Sequence, residues 1–149
     1  MLARKRIEKG FTLVEILIVV VILGILAAIV IPQFTSASET AKASSLTSQL
    51  QTIRSQLELY QVQHNGIYPT LTQMWGNLLT GTDVDGNAGT DFGPYLQKPP
   101  VNPFTLGSTV AADNSADWRY TAATSTIVGV VNTTVAGNAG LDASDFVAQ

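Results

Sequence analysis

The chain has 149 residues and a formal net charge of −3, and 46% of its residues are hydrophobic. This length allows one modest domain in addition to a long helix. The absence of cysteine excludes disulfides, thiolate metal sites and a cysteine nucleophile. Beyond residue 10 the basic residues are scattered and form no stripe, so nucleic-acid binding is not expected.

The chain opens with a basic head followed by a long apolar run. The basic residues of the head are Arg4, Lys5, Arg6 and Lys9. Within the run from Phe11 to Ile31, Glu15 is the only charged residue. A helix over this run would be roughly 32 Å long, which matches the ~30 Å hydrocarbon core of a bilayer. The length then predicts a single pass through a membrane, and the positive-inside rule places the N-terminus in the cytoplasm and the remaining chain outside.

The junction between head and run differs from an ordinary secretory signal. Such a signal carries its small-residue cleavage site after the apolar core, whereas here the small residue, Gly10, precedes it. Residues 10–15 are Gly-Phe-Thr-Leu-Val-Glu, and in this they resemble the type IV prepilin family. The resemblance implies that a prepilin peptidase removes residues 1–10 as a leader by cleaving between Gly10 and Phe11. It also implies N-methylation of the new Phe11 amine. The alternative is a plain, uncleaved anchor.

Glu15 is an ionisable residue inside a predicted membrane helix, which makes it a functional candidate. It lies four positions after Phe11, so both residues are on one helix face about one turn apart. The resemblance implies that Glu15 neutralises the Phe11 ammonium of a neighbouring subunit as a filament assembles. The alternative is a carboxylate that merely extends to the membrane interface.

Gly24 and Pro32 interrupt the predicted membrane helix over residues 11–31 and its continuation. Glycine costs about 1 kcal/mol relative to alanine in a helix, and proline removes a backbone donor. One interpretation is an ordinary kink in a membrane helix. The family resemblance implies instead that this segment loosens when subunits pack into a filament.

Residues 32–65 are predicted to continue the helix into the globular domain with one apolar face. The apolar positions at helical spacing are Leu46, Leu50, Ile53, Leu57 and Tyr60. Asn65 and Gly66 form a typical helix end. At that end we expect His64 to be solvated and favourably placed in the helix dipole.

Residues 66–149 are predicted to form loops and a small sheet. After the helix come a short apolar helix or turn at 73–79 and three motifs rich in proline and aromatic residues, at 66–70, 93–96 and 100–104. These motifs are typical of rigid loops, because proline is excluded from central strands. As an ordered set they are similar to the major pseudopilins of type II secretion systems.

Strand-forming residues come late in the chain. Residues 118–122 and 126–131 are rich in aromatic and β-branched side chains and predict an antiparallel hairpin. A further short strand is expected near 133–135 or 105–110, and residues 136–149 are expected to form a surface loop. The predicted fold class is α+β and pilin-like. A long N-terminal helix spans the membrane with its first half and packs with its second half on a small antiparallel β-sheet.

A run of acidic and amide residues between the motifs has the oxygen ligands of a hard cation such as Ca²⁺. Its members are Asp83, Asp85, Asn87 and Asp91. The EF-hand pattern is absent, because Ala88 replaces the required glycine and Pro94 the bidentate glutamate, and a solvated turn is the alternative. The family resemblance also implies a calcium site in the C-terminal region, whose acidic pattern residues 141–145 do not clearly reproduce.

No catalytic motif is present, and we expect a structural subunit rather than an enzyme. The resemblance implies a pseudopilin of a type II secretion system that polymerises into a periplasmic filament. Its partners would be copies of itself, minor pseudopilins, the prepilin peptidase, the inner-membrane assembly platform and membrane lipid. One alternative is a pilin of a surface type IV pilus for adhesion, motility or DNA uptake. Another is a membrane-anchored binding module that never polymerises.

Overall fold

The computed structural model describes residues 10–131, 141 and 144–148. The chain divides into two compact units, Met1–Ala37 and Ser38–Gln149. The elements are helix α1 (Leu13–Gln63), a 3-10 turn (Leu71–Gln73), helix α2 (Met74–Leu79), and strands β1 (Val110–Ala111), β2 (Trp118–Thr121), β3 (Thr126–Val131) and β4 (Phe146–Ala148). The α+β, pilin-like class predicted from the sequence is confirmed.

Within the first unit, every described residue is exposed. Ile22, for example, keeps 51% of its surface accessible although it is aliphatic. A helix that is apolar on all sides has no polar face to turn toward water. By length and composition α1 can cross a membrane.

Within the second unit, α1 buries one stripe and leaves its other residues exposed or half-buried. The buried residues are Ala43, Leu46, Leu50, Ile53, Leu57 and Tyr60, which include all five predicted stripe positions. Spacings of three and four residues place them on one face. They join residues of α2 and the sheet, notably Met74, Trp118 and Ile127, in one hydrophobic core.

Helix α1 ends where the sequence predicts, because Asn65 and Gly66 both adopt positive φ angles of 55° and 83°. Glycine takes this left-handed conformation without steric cost. The Gly66 N–H donates to the Gln61 carbonyl at 2.8 Å. This bond satisfies one of the free carbonyls at the helix end.

The prediction that His64 is solvated is wrong, because the residue is only 2% exposed. Its ring stacks on Tyr60 with centroids 3.6 Å apart. The Nδ1 atom donates to the Tyr60 carbonyl at 2.8 Å, so Nε2 accepts from the Thr82 hydroxyl at 3.0 Å. Phe92 meets the same ring edge-on. The loop that carries Thr82 and Phe92 therefore covers the end of the helix and excludes water.

The strands form one sheet in the order β1-β2-β3-β4. Strands β2 and β3 are antiparallel, which confirms the predicted hairpin. The outer pairs, β1 with β2 and β3 with β4, are parallel. The sheet is therefore mixed, and the prediction of an antiparallel sheet is wrong for its two edges.

A compact connection explains how β1 can lie parallel to β2. Parallel strands usually need a crossover of a dozen or more residues, whereas β1 ends at Ala111 and β2 begins at Trp118. Asp117 accepts hydrogen bonds from the backbone N–H and the hydroxyl of Thr109, at 2.8 and 2.6 Å. These bonds fold the connection back on itself, and only two residue pairs are formed.

Gly129 of β3 lies against α1. A Cβ atom built at this glycine would be 2.7 Å from Leu46 Cδ1, closer than any ordinary contact. The helix and the sheet therefore approach so closely here that a side chain at 129 would overlap Leu46.

Asn102 attaches the proline-rich loop to the sheet. It is fully buried, and its Nδ2 donates to the carbonyls of Asp117 and Val130 at 2.7 and 3.0 Å. Its Oδ1 accepts from the Phe104 N–H at 2.9 Å. These bonds give every polar atom of the buried Asn102 side chain a partner and join its loop to the sheet.

The chain after β3 is only partly described. The predicted strand at 133–135 lies outside the described residues, and the alternative at 105–110 reaches the sheet only at Val110. The predicted surface loop at 136–149 is wrong for Phe146–Ala148, which form β4.

Candidate functional site

The residues predicted to act in processing and assembly lie directly before α1 and in its first turn. Gly10 is exposed, and Phe11 keeps 83% of its surface accessible. A Cβ built at Gly10 would meet nothing within 4 Å, so packing within this chain does not require glycine there. The junction between these two residues is open to solvent.

Glu15 and Thr12 form a reciprocal capping arrangement at the start of α1. The Glu15 carboxylate accepts from the Thr12 backbone N–H at 2.8 Å and from the Thr12 hydroxyl at 2.9 Å. The Glu15 N–H donates to the Thr12 hydroxyl oxygen at 3.2 Å. This capping box satisfies N–H groups that have no partner inside the helix.

Thr12 is the functional residue that sequence reasoning missed. Its signal was present, because a threonine followed three positions later by a glutamate before an apolar run is the pattern of a capping box. The carboxylate is turned toward the helix start, one residue from Phe11. In this chain the Phe11 nitrogen is a peptide nitrogen bonded to Gly10, so Thr12 supplies the donors on Glu15.

Gly24 and Pro32 both lie inside α1, which continues through them. A Cβ at Gly24 would meet nothing within 4 Å, so this glycine is not required by close packing within the chain. Pro32 has no N–H to donate to the carbonyl one turn earlier. Beyond it, the Thr35 hydroxyl donates to the Ile31 carbonyl at 3.3 Å. The helix-weakening role of both residues stays a prediction.

The loop that carries the candidate cation ligands is closed by its own hydrogen bonds. Asp83 Oδ1 accepts from the backbone N–H groups of Asp85 and Asn87 at 3.0 and 2.9 Å. The Asn87 side-chain amide donates to Asp83 Oδ2 at 3.3 Å. The backbone N–H of Asn87 is the largest influence on the Asp83 carboxyl and lowers its pKa.

In this arrangement the donors of the loop itself surround the Asp83 carboxylate. The Asp83 oxygens already accept from three donors, and Asn87 points its amide nitrogen rather than its oxygen at them. Among the described residues, no group of three or more histidine, aspartate or glutamate side chains is placed to hold a metal. The calcium site at Asp83, Asp85, Asn87 and Asp91 stays an untested prediction without support from the loop geometry.

Two tryptophans and a tyrosine donate hydrogen bonds to main-chain carbonyls of the loops. The indole N–H of Trp118 donates to the Pro100 carbonyl at 3.1 Å, and that of Trp75 donates to the Ser108 carbonyl at 2.7 Å. The Tyr120 hydroxyl donates to the Pro69 carbonyl at 2.9 Å. The motifs at 66–70 and 100–104 therefore serve to hold loops on the core.

Two parts of the chain each match a known protein family. Residues 5–31 match the family described as the prokaryotic N-terminal methylation motif, and residues 33–111 match the family described as type II secretion system protein G. No solved structure shows a significant match.

Curated relatives carry the same family name. The type II secretion system core protein G of Pseudomonas aeruginosa is 39% identical over 104 residues, which cover 68% of this chain and 71% of that protein. The protein of that name from Klebsiella pneumoniae is 33% identical over 98 residues, covering 65% and 69%. The type IV narrow pilus major component PilA5 of Thermus thermophilus is 41% identical over 69 residues, covering 46% and 59%. From its match over residues 33–111 and from these identities, this chain belongs to the type II secretion system protein G family.

Proposed function

We propose that this chain is a pseudopilin, a structural subunit without enzymatic activity that polymerises into a periplasmic filament of a type II secretion system. The observation that carries the proposal is the union in one chain of an N-terminal methylation motif at 5–31 and a protein G domain at 33–111. The exposed apolar segment of α1 supports it, because such a surface needs lipid or neighbouring helices to cover it.

Processing comes first in the proposed sequence of events. The precursor is anchored in the inner membrane with its basic head in the cytoplasm and its globular unit outside. A prepilin peptidase cleaves between Gly10 and Phe11, and the new Phe11 amine is methylated. Cleavage converts the Phe11 peptide nitrogen into an ammonium, and it thereby creates the positive charge that Glu15 can bind.

Assembly then replaces one Glu15 partner with another. In the isolated chain the carboxylate accepts both of its hydrogen bonds from Thr12. In a filament it would accept from the Phe11 ammonium of the next subunit, a charge-assisted bond that is stronger than a neutral one. The subunits would assemble with minor pseudopilins on the inner-membrane assembly platform, and the apolar helices would pack together.

Two variants test this role of Glu15. Glu15→Ala should be processed normally and inserted in the membrane, but it should enter filaments at less than about one tenth of the normal yield, since even one lost charge-assisted bond of about 1.5–3 kcal/mol per contact is repeated along the filament. Glu39→Ala, which removes another carboxylate from α1, is the matched control and should assemble normally. Shearing followed by immunoblotting measures the yield. Normal filament yield from the Glu15 variant would contradict the proposal.

The N-terminus itself is tested by intact-mass analysis of the membrane protein with and without the peptidase. We expect a product that begins at methylated Phe11 when the peptidase is present and at Met1 when it is absent. A product that begins at Met1 in both strains would leave only a membrane-anchored module.

A type IV pilus subunit is the second candidate, favoured by the match to PilA5, a major component of a type IV narrow pilus. Deletion of the chain separates the two. Loss of protein secretion with surface pili intact supports the secretion filament, and loss of surface pili with secretion intact supports the pilus.

A further inference from the structure

The side chain of Arg54 joins α1 to the C-terminal segment. Its Nη1 donates to Asp145 Oδ1 at 3.0 Å, and its Nη2 donates to the main-chain carbonyls of Ile127 at 3.1 Å and Ser144 at 2.9 Å. Arg54 directly follows the buried Ile53, so it leaves α1 at the edge of the stripe that packs on the sheet. One guanidinium thus gathers oxygens from two separate stretches of the chain.

The oxygens around Arg54 are those that a hard cation would take. One carboxylate and two backbone carbonyls are typical ligands of Ca²⁺ in proteins. A planar guanidinium with five donors can serve the same set, and its charge cannot be removed at accessible pH. The ion pair is only partly exposed, with 37% of the Arg54 side chain and 11% of the Asp145 side chain accessible.

Asp145 is held from two further directions. The Thr47 hydroxyl donates to its Oδ2 at 3.3 Å, and its main-chain carbonyl accepts from the Gly129 N–H at 3.0 Å. Strand β4 begins at the next residue, Phe146, and that side chain packs on the core. Strand β4 is an edge strand of three residues, and Asp145 bonds to β3 directly before that strand begins.

We propose that Arg54 acts as an internal cation that clamps the C-terminal segment to α1 and β3, so that β4 docks without a bound metal ion. The family resemblance leads to the opposite expectation, a calcium ion in the C-terminal region. In the described part of the chain, the Arg54 guanidinium lies instead among the carboxylate and carbonyl oxygens next to β4.

The hydrogen-exchange rate of the Gly129 amide measures how firmly Asp145 is held, since this N–H donates to the Asp145 carbonyl. In the full chain in detergent micelles, Arg54→Gln should make this amide exchange about 5–30 times faster, the change that corresponds to losing one or two kcal/mol of local stability. Chelation with EDTA should leave exchange in the unmodified chain unchanged. Arg119→Gln is the matched control, because the side chain of Arg119 makes a single hydrogen bond to the described residues, a long one of 3.4 Å to Asn114, and the change should have no effect at Gly129.

Two further variants keep the test decisive if Arg54→Gln does not fold. Asp145→Asn keeps the side-chain shape and should raise exchange at Gly129 by a similar factor. Arg54→Lys keeps the charge but not the fork and should give an intermediate value. The double variant Arg54→Gln/Asp145→Asn should be no worse than either single variant, because the two side chains act as one pair.

Two results would overturn the proposal. One is faster exchange at Gly129 of the unmodified chain after chelation, reversed by added Ca²⁺, which would assign the clamp to a metal. The other is unchanged exchange at Gly129 in folded Arg54→Gln and Asp145→Asn chains, which would make the ion pair incidental to the docking of β4.

Discussion

The two parts of helix α1 use apolar residues in opposite ways. Up to Ala37 the apolar side chains point in every direction and all are exposed, whereas from Ser38 onward the buried ones follow one stripe and only those off the stripe, Leu59 and Val62 among them, stay exposed. Leu50 has no accessible surface, while Ile22 keeps 51%. Similar residue types in one helix therefore have different tasks, and the spacing of those residues distinguishes the two. A stripe serves the chain's own core, and an all-round apolar surface serves other molecules.

The largest expected effect on the free energy of unfolding comes from truncating an apolar side chain to alanine, and it should differ between the two parts of α1. Leu50→Ala should lower the free energy of unfolding by about 2–5 kcal/mol, because it leaves a cavity in the core. Ile22→Ala should change it by less than about 0.5 kcal/mol, since this side chain contacts no core. Urea unfolding of the full chain in detergent, followed by tryptophan fluorescence, measures both, because Trp75 and Trp118 lie in the second unit. Equal effects would contradict the division.

A second expected effect is a loss of stability at alkaline pH, which comes from a buried tyrosine in the second unit. Burial raises the pKa of Tyr120 from 10.0 to about 12. The folded state therefore holds the phenolic proton more tightly than the unfolded state does. The resulting stabilisation is fully present below pH 10 and is lost as pH rises to about 12. Unfolding free energy should fall by about 2–3 kcal/mol across that interval.

Tyr120→Phe provides the control for this pH dependence. The variant loses the hydrogen bond to the Pro69 carbonyl and should be about 1–3 kcal/mol less stable at neutral pH. Its stability should then fall less steeply than that of the unmodified chain between pH 10 and pH 12. Parallel pH profiles for the two chains would mean that another group is responsible.

The smallest effect compares two glycines. Gly129→Ala should destabilise the second unit by about 1–3 kcal/mol, because the new methyl group overlaps Leu46. Gly24→Ala should leave the unfolding of that unit unchanged, since its Cβ would meet nothing. The double variant Gly129→Ala/Leu46→Ala should lose less unfolding free energy than the sum of the two single variants, which would show that the two positions are coupled. Additive losses would place the strain elsewhere.

The sequence was sufficient wherever a local pattern decides the structure. Stripe positions such as Leu50 follow the helical period, Asn65 and Gly66 favour the left-handed turn that ends the helix, and the β-branched residues of β3 favour a strand. The residues at the N-terminus form a short contiguous motif, so Gly10, Phe11 and Glu15 could be proposed as site residues without any structure, and their roles stay predictions. Thr12 belonged to the same motif and could have been found from its spacing to Glu15.

The features that were missed depend on contacts between distant residues. His64 is buried because Thr82 and Phe92, far along the chain, fold over it. Strand β4 is only three residues long, too short for a local pattern to identify, and it is positioned by Arg54, which precedes Asp145 by 91 residues. The parallel direction of β1 depends on hydrogen bonds between Thr109 and Asp117. No local period or propensity contains this information.

The capping box at the start of α1 also bears on how subunits would be stored before assembly. With Thr12 on its carboxylate, Glu15 already has hydrogen-bond partners in a chain that has none of its neighbours. Unassembled subunits could therefore form a reservoir in the membrane, because the Glu15 carboxylate of each is already hydrogen-bonded. Docking would then be an exchange reaction, in which Glu15 releases one set of donors and accepts another. Such an exchange keeps the number of hydrogen bonds nearly constant, so the charge of the incoming ammonium, rather than an added bond, would draw subunits from this reservoir into the filament.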